Sequence, residues 1–239
     1  MKALIFAAGL GTRLRPLTDN LPKALVPVGG VPMLERIIRK LQAAGYDEFV
    51  INVHHFAPMI AEFLERNGNF GASIKLSVES EKPLETGGGI RNAEPLLSPG
   101  SFLVHNADIL SDVDLRWFAA ESRPDAVANL LVTDQPAERC FLFDAEMRLA
   151  GWMNNRTGEV RSPYPDFDPS GYRKLSFCGI HIISDAIFPL MEGWPEVFSI
   201  TDFYLKICSE HPIYAVEAAG ISLVDIGSPE KLAQAQLMV

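Results

Sequence analysis

The sequence predicts an α/β protein built on a single doubly wound, mostly parallel mixed sheet with helices on both faces. Short apolar runs alternate with helically periodic segments through the first half of the chain, and strand–helix units of this length favour right-handed crossovers between parallel strands. The 239 residues are 48% hydrophobic and 21% charged, which is enough to bury a substantial core without a disulfide or a structural metal. No linker, internal repeat or low-complexity tract divides the chain, so we expect one domain over residues 1–239.

The predicted elements of the first half follow in order. The continuous apolar run KALIFAA is typical of a buried parallel strand. VPMLERIIRKLQAAG carries a helical apolar stripe between Pro32 and Gly45. The strand EFVINV, the helix APMIAEFLERNG and the strand SIKLSVE come next. Beyond a glycine cluster, IRNAEPLL predicts a short helix and SFLVHNADIL predicts a fourth strand.

From about residue 125 the pattern changes to strands separated by turns. DAVANLLVTD, RCFLFDAEM, LAGWM and KLSFCGIHII predict strands. Residues 154–173 are rich in Asn, Gly, Pro and Ser and predict a surface excursion or lid. Helices over 184–191 and 199–210, the strands PIYAVE and ISLVDIG, and a final helix from Ser228 complete the prediction.

Composition and charge argue against several classes of protein. The formal net charge is −9, whereas general nucleic-acid binding usually needs a basic face. The N-terminal apolar run is too short for a membrane span or a signal sequence, and no later run is long enough to span a membrane. Cys140, Cys178 and Cys208 are spaced neither as a disulfide framework nor as a zinc site. We therefore expect reduced core thiols in a cytoplasmic protein.

A glycine-rich, cationic turn follows the first predicted strand. The segment FAAGLGTRLRPLTDNLPKAL holds Gly9 and Gly11, and then Arg13, Arg15 and Lys23. Backbone N–H groups after a strand can bind phosphate oxygens, and glycine lets the ligand approach without a Cβ in the way. The turn lacks the Lys-Ser or Lys-Thr of a P-loop and the third glycine of a dinucleotide fingerprint. It is predicted to bind phosphate or, alternatively, to be a strand-to-helix turn with solvated charges.

This segment resembles the N-terminal signature of the sugar-1-phosphate nucleotidyltransferases, also called nucleotide-sugar pyrophosphorylases. That signature is approximately Gly-Gly-x-Gly-x-Arg-Leu-x-Pro-Leu-Thr followed by Pro-Lys-Pro, and Ala8 and Ala24 depart from it. PLETGGGI, LVHNADIL, SFCGIHII and LVDIGSPEKL resemble later elements of the family. The resemblance implies the Rossmann-like nucleotidyltransferase fold, in which residues 1–122 would bind nucleotide and residues 123–239 would bind sugar phosphate.

The resemblance also implies roles for individual residues. Catalysis would depend on Arg13, Lys23, Asp108 and Asp225, and the two aspartates would bind Mg²⁺. Gly179 would contact the sugar phosphate. The nucleotide-binding residues that it implies are Ala7, Gly9, Gly11, Thr12, Arg13, Lys23, Thr86, Gly87, Gly88 and Asn106.

The reaction implied is NTP plus sugar-1-phosphate giving NDP-sugar plus pyrophosphate. Two polyanions must meet, so cations and a metal neutralise their charge and positioning does most of the rest. Mg²⁺ prefers oxygen ligands and retains waters, so two carboxylates together with phosphate oxygens suffice. Asp108 and Asp225 both follow apolar strands, at the sheet edge where open α/β folds bind ligands.

The sequence leaves the substrates open. The resemblance is greatest to N-acetylmuramate-1-phosphate uridylyltransferases and mannose-1-phosphate guanylyltransferase-like members, and uridylyl transfer is the preferred interpretation. Guanylyl transfer to mannose- or heptose-1-phosphate and cytidylyl transfer are the alternatives. A non-catalytic regulatory relative would have lost Arg13, Lys23 or an aspartate, and none is lost. The Val-Glu-Lys-Pro element that reads sugar hydroxyls in many relatives is missing from its usual place, and the sequence predicts no oligomeric state.

Overall fold

The computed structural model describes every residue from Met1 to Val239. Its α-helices are α1 (Met33–Ala43), α2 (Ala57–Arg66), α3 (Glu85–Asn92), α4 (Glu94–Leu97), α5 (Leu115–Glu121), α6 (Ile187–Leu190), α7 (Ile200–Ile207) and α8 (Pro229–Gln236). Its strands are β1 (Lys2–Phe6), β2 (Pro27–Val28), β3 (Val31–Pro32), β4 (Glu48–Val53), β5 (Ser73–Val78), β6 (Phe102–Asn106), β7 (Ile109–Ser111), β8 (Ala128–Thr133), β9 (Arg139–Phe143), β10 (Leu149–Asn154), β11 (Val160–Arg161), β12 (Arg173–Ile183), β13 (Ile213–Glu217) and β14 (Leu223–Asp225).

One ten-stranded sheet runs through the molecule in the order β11-β10-β9-β12-β6-β1-β4-β5, with β8 paired to β12 and β13. The strands β5, β4, β1 and β6 are parallel, as are β8 and β13. The long strand β12 runs antiparallel to β6, β8 and β9 and so joins the two halves of the sheet. The predicted mixed, doubly wound sheet is confirmed, and its antiparallel part lies in the second half of the chain.

Helices cover both faces of the sheet because the parallel strands are apolar on both sides. Along β1, Ala3 and Ile5 face one core while Leu4 faces the other. Helices α1, α2, α5 and α8 pack on the first face, and α3, α4, α6 and α7 pack on the second. None of the helices combines the length and the apolar composition that crossing a bilayer requires. The three cysteines are buried and free, as the sequence predicts.

The predicted helix after the glycine cluster is wrong at its start, because α3 begins at Glu85 and contains Gly87, Gly88 and Gly89. All three glycines are buried. An added Cβ at Gly87 would lie 2.3 Å from the Phe198 ring. Close packing of α3 against the segment before α7 therefore requires glycine inside the helix, against its intrinsic helix propensity.

The predicted strand SFLVHNADIL divides into two. β6 ends at Asn106 in the main sheet, and β7 pairs antiparallel with β14 in a separate two-stranded sheet. The break leaves Asp108 between the two strands, and β14 ends at Asp225. The pairing of β7 with β14 therefore brings together two residues that are more than a hundred positions apart in the chain.

Residues 154–173 are mostly turns, as predicted: Asn154 ends β10, Arg173 begins β12, and the segment between them contains only β11 and one short 3₁₀ turn (Pro169–Gly171). The segment packs on the sheet through Phe167, which lies against Gly151 and whose ring is tilted against that of Tyr172, with 4.5 Å between the ring centroids. None of these residues lines the cleft described below. Their predicted role as a lid stays a prediction.

Candidate active site

A cleft of about 440 Å³ lies at the carboxyl ends of β1, β4 and β6. It is walled by the turn that follows β1, by the strand ends and by the start of α3. The predicted site residues that line it are Ala7, Gly9, Gly11, Thr12, Arg13, Lys23, Thr86, Asn106 and Asp108. The structure thus brings together most of the predicted nucleotide-binding residues, and leaves Gly87, Gly88, Gly179 and Asp225 outside the cleft wall.

The turn after β1 is closed by tight local contacts. Gly11 has a φ of 64°, which glycine adopts without strain. The Thr18 hydroxyl donates a hydrogen bond of 2.7 Å to the Gly11 carbonyl oxygen. A Cβ at Gly11 would lie 3.0 Å from Thr18 Cγ2 and 3.3 Å from Lys23 Cβ. Glycine at this position therefore lets the turn fold back until Lys23 reaches the cleft.

Lys23 and Asp108 form an ion pair in the cleft wall. Lys23 Nζ lies 2.5 Å from Asp108 Oδ2, and the two side chains are 13% and 28% exposed. Partial burial reduces the screening of such a pair relative to one on the surface. Asp108 Oδ2 accepts the lysine hydrogen bond, and the aspartate in turn fixes the ammonium at the edge of the turn.

Asp225 lies beside Asp108 because β14 pairs with β7. Ile226 N donates a hydrogen bond of 2.9 Å to the Asp108 carbonyl oxygen. The Asp225 carboxylate accepts hydrogen bonds from Gly227 N and from Lys231 Nζ. Burial raises the pKa of Asp225, but the hydrogen bond and charge of Lys231, with the Gly227 N–H, outweigh it and lower the pKa below its usual value.

Arg13 reaches the same place from the turn. A Cβ at Gly227 would lie 2.4 Å from Asp225 Oδ1 and 2.8 Å from Arg13 Nη2. Only a residue without a side chain lets the carboxylate and the guanidinium come so close to the backbone there. The four predicted catalytic residues thus converge: Arg13, Lys23 and Asp108 line the cleft, and Asp225 lies directly beside them, behind Gly227 of the wall.

No group of three or more His, Cys, Asp or Glu side chains is arranged to hold a metal ion. Asp108 and Asp225 nevertheless present carboxylate oxygens from neighbouring strand ends, and each of them binds a lysine ammonium. Mg²⁺ usually takes one or two carboxylates and completes its shell with water and phosphate oxygens. The two carboxylates therefore fit the protein's share of a Mg²⁺ site.

Gly87 and Gly88 serve packing in the structure. Their N–H groups donate to the Phe198 carbonyl oxygen at 2.9 and 3.2 Å. A Cβ at Gly88 would lie 2.4 Å from the Glu196 carbonyl oxygen. Thr86 Oγ1 accepts a hydrogen bond from Ile200 N, which ties the same helix start to α7. Direct nucleotide contacts by these glycines stay a prediction.

Gly179 lies beside the cleft rather than in its wall. It has a φ of 69° and sits where the pairing of β12 with β8 shifts register. A Cβ there would meet Asn106 Nδ2 at 2.6 Å, so glycine leaves room for the Asn106 side chain. The predicted contact of Gly179 with a sugar phosphate stays a prediction.

Sequence reasoning missed several residues of the site: Asn52, Glu79, Glu85, Gly227 and Lys231. Asn52 and Glu79 line the cleft and are 0% and 3% exposed. Asn52 is polar within an apolar run, and Glu79 follows the next strand. Because β4 and β5 run parallel to β1, their carboxyl ends lie at the same edge of the sheet as the cationic turn. A polar residue at the end of each strand could therefore have predicted that Asn52 and Glu79 belong to the site. Lys231 left no such signal, because one lysine in a surface helix is ordinary.

Known proteins resemble this chain in sequence and in fold. The family model described as Nucleotidyl transferase matches residues 2–139. The N-acetylmuramate alpha-1-phosphate uridylyltransferase of Neisseria meningitidis is 41% identical over 57% of this chain and 60% of its own length. The enzyme of the same name from Caulobacter vibrioides is 30% identical over 95% of this chain and 92% of its own length. The mannose-1-phosphate guanyltransferase of Aspergillus fumigatus is 41% identical, and the match covers 96% of this chain and 62% of the fungal protein.

A solved UDP-glucose pyrophosphorylase in complex with UDP-glucose has the same fold, with a TM-score of 0.79 and 18% identity over 99% of this chain and 97% of that one. The family match covers more than half of the chain and includes the cationic turn, Lys23 and Asp108. The chain therefore belongs to the nucleotidyl transferase family.

Proposed function

We propose that this protein transfers a nucleotidyl group from a nucleoside triphosphate to a sugar-1-phosphate and releases pyrophosphate. The proposed substrates are UTP and a sugar-1-phosphate of the N-acetylmuramate type. The observation that carries the proposal is the convergence of Arg13 and the Lys23–Asp108 ion pair in the cleft wall with Asp225 directly beside them. A site that joins two polyanions needs positive charge fixed in place before they meet.

Lys23 and Arg13 would bind phosphate oxygens on either side of the reacting phosphorus. Lys23 is held by Asp108 at 2.5 Å, so its ammonium needs little reorganisation to meet a phosphate. The attacking sugar phosphate is itself an anion at neutral pH, so no side chain has to act as nucleophile. Positioning and charge neutralisation then supply most of the rate enhancement.

Asp108 and Asp225 are the residues that would hold Mg²⁺. The bound ion would neutralise part of the negative charge of the phosphates. For this to happen, the lysine partners of both carboxylates must share or release them. Lys23 would then be free to bind a phosphate oxygen. The carboxylates and the chain's own cations are therefore coupled, since Asp108 positions Lys23, which the substrates also need.

We further propose that residues 1–122 bind the nucleotide and residues 123–239 bind the sugar phosphate. The cleft supports the first part, because all but one of its lining residues lie before residue 109. The relative from Caulobacter vibrioides supports uridylyl transfer, because the match spans almost all of both chains. A cytoplasmic location, and partners limited to these small molecules rather than nucleic acid or membrane, stay predictions from composition.

Pyrophosphate release tests the proposal. The protein would be assayed with each of the four NTPs and with N-acetylmuramate-, mannose-, heptose- and glucose-1-phosphate, with and without Mg²⁺. We expect the highest turnover with UTP, N-acetylmuramate-1-phosphate and Mg²⁺. A preference for GTP with mannose- or heptose-1-phosphate would establish guanylyl transfer instead, and a preference for CTP would establish cytidylyl transfer.

Matched variants make the same assay specific to the site. Lys23→Met removes the ammonium from the cleft, whereas Lys206→Met removes an exposed lysine of α7. We expect only the first to lower the rate of pyrophosphate release about a hundredfold or more. Absence of release from every substrate pair by the folded wild-type protein would refute the proposed reaction.

A further inference from the structure

A buried polar pair forms part of the cleft wall away from the cationic end. Asn52, at the carboxyl end of β4, is 0% exposed, and Glu79, just after β5, is 3% exposed. Asn52 Nδ2 donates a hydrogen bond of 2.8 Å to Glu79 Oε1. Glu79 Oε2 accepts a second hydrogen bond, of 2.9 Å, from Leu84 N. Both carboxylate oxygens are thus occupied by protein donors.

This pairing fixes which way the Asn52 amide points. The carboxylate of Glu79 offers acceptors, so the NH₂ group of Asn52 must face it and the amide oxygen must face away. Asn52 Oδ1 is buried and has no hydrogen-bond partner in the protein. Because Asn52 also lines the cleft, the structure holds an oriented, unused acceptor at the wall of the ligand site. Buried polar groups without a partner are uncommon in folded proteins.

The surroundings of the pair suit a flat ring. Phe6 lines the same part of the cleft, and it lies beside the pair together with Gly89 of α3. A Cβ at Gly89 would lie 2.8 Å from Phe6 Cε1, 3.0 Å from Glu79 Oε1 and 3.4 Å from Asn52 Nδ2. Glycine at this position lets α3 pass close to the pair, and an aromatic side chain offers a surface on which a base can stack.

We infer that Asn52 Oδ1 accepts a hydrogen bond from the ring N–H of the nucleobase and thereby selects uracil over cytosine. The inference rests on the proposed function, since it names the base of the nucleotide substrate. Uracil carries a hydrogen on N3, whereas N3 of cytosine is an acceptor that would face the amide oxygen. Guanine also carries a ring N–H and adenine does not, so the same contact admits GTP and rejects ATP. Glu79 is a positioning residue, because it prevents the amide from turning over.

Binding measurements on the intact protein test the inference directly. Titration calorimetry would give the Kd of UTP, CTP, GTP and 3-methyl-UTP, which lacks the N3 hydrogen. A site built around a substrate N–H discriminates strongly against analogues that lack it, and we expect UTP to bind at least about a hundredfold more tightly than CTP or 3-methyl-UTP. If GTP binds as tightly as UTP, other residues select between purine and pyrimidine bases, and the proposed contact with the ring N–H is still supported.

Three variants separate the contact from a purely structural role. Asn52→Leu removes the acceptor and should reduce the UTP preference over CTP to within about threefold. Glu79→Gln offers an NH₂ donor to Asn52 Oδ1, so the amide can turn and present its own NH₂ to the cleft. That change should shift the preference toward CTP. Asn129→Leu, at another buried asparagine whose amide oxygen and NH₂ are both paired with the Arg123 backbone, should lower stability without altering the UTP to CTP ratio.

These measurements test the contact between Asn52 and the base separately from the proposed reaction. Equal Kd values for UTP and 3-methyl-UTP, or an unchanged UTP to CTP ratio in both folded variants at Asn52 and Glu79, would overturn it. If Asn52→Leu does not fold, the titration of the wild-type protein with 3-methyl-UTP and the UTP to CTP ratio of Glu79→Gln still test the inference. Strong discrimination in binding without pyrophosphate release would support the contact while refuting the proposed reaction.

Discussion

Substituting Gly87 tests whether the glycine cluster of α3 serves packing or ligand binding. In Gly87→Ala the new Cβ would lie 2.3 and 2.4 Å from two Phe198 ring atoms and 2.9 Å from the Phe198 carbonyl oxygen. Ordinary carbon contacts lie about 1 Å further out, so the helix or the ring must move. Since the N–H groups of Gly87 and Gly88 both donate to Phe198, a shift of the helix also weakens these hydrogen bonds.

The magnitude follows from these contacts. Overpacking costs about 1–3 kcal/mol, and a weakened hydrogen bond costs up to about 1 kcal/mol. The better helix propensity of alanine offsets about 1 kcal/mol of this cost. We therefore expect Gly87→Ala to lower the free energy of unfolding by about 2 kcal/mol, which for a chain of this size lowers Tm by about 4–8 °C.

Thermal and urea unfolding would be measured together with the Kd for UTP. Gly171→Ala is the matched control, because a Cβ there meets nothing within 4 Å and should leave Tm nearly unchanged. If Gly87→Ala keeps the wild-type Tm while its Kd for UTP rises tenfold or more, the packing argument is wrong. That result would instead support the backbone contact with nucleotide that the sequence predicts.

Three further predictions concern the charged site and the buried core. Asp108→Asn and Asp225→Asn should each lower kcat about a hundredfold or more while circular dichroism stays unchanged; near-normal turnover in either variant removes its proposed metal role. Lys23→Met should lower kcat by about 10²–10³, and an effect on KM alone would contradict a role in the transition state. Burial lowers the pKa of His181 from 6.5 to about 3. As the pH is lowered below 6.5, the unfolded chain therefore takes up this proton before the folded protein does. The free energy of unfolding should fall by up to about 1.4 kcal/mol for each pH unit between about 6.5 and 3. In His181→Asn, urea unfolding between pH 4 and 7 should show a shallower slope; an identical slope would show that this histidine does not titrate on unfolding.

Much of the first half of the fold was predictable because its signals are local. The run EFVINV coincides with β4, and the helical stripe after Pro32 coincides closely with α1. A continuous apolar run bounded by turn residues leaves few alternatives to a buried strand. The cationic turn was predictable for the same reason, since its glycines, prolines and cations are contiguous in sequence.

The rest depends on contacts between distant segments. The glycines of α3 suggest a loop when only neighbouring residues are considered, and their helical conformation is explained by Phe198 and Glu196 more than a hundred positions away. The division of the predicted fourth strand at Asp108 likewise follows from the pairing of β7 with β14. No local pattern specifies that pairing, so the proximity of Asp225 to Asp108 was accessible only through family resemblance.

The register of the central strands connects the two ends of the cleft. Phe6, the last residue of β1, is paired with Asn52 on one side and with Asn106 on the other. Neighbouring strands are about 4.8 Å apart, so Asn52 and the strand end that leads to Asp108 are separated by about 10 Å. One end presents an uncharged acceptor and the other presents Lys23, Arg13 and two carboxylates. A nucleotide has the same polarity, a neutral base joined through ribose to charged phosphates, and the base and the ribose together span a gap of this size. Since the sheet itself sets the spacing, a substitution that shifts the register of β1 should impair base selection and phosphate binding together.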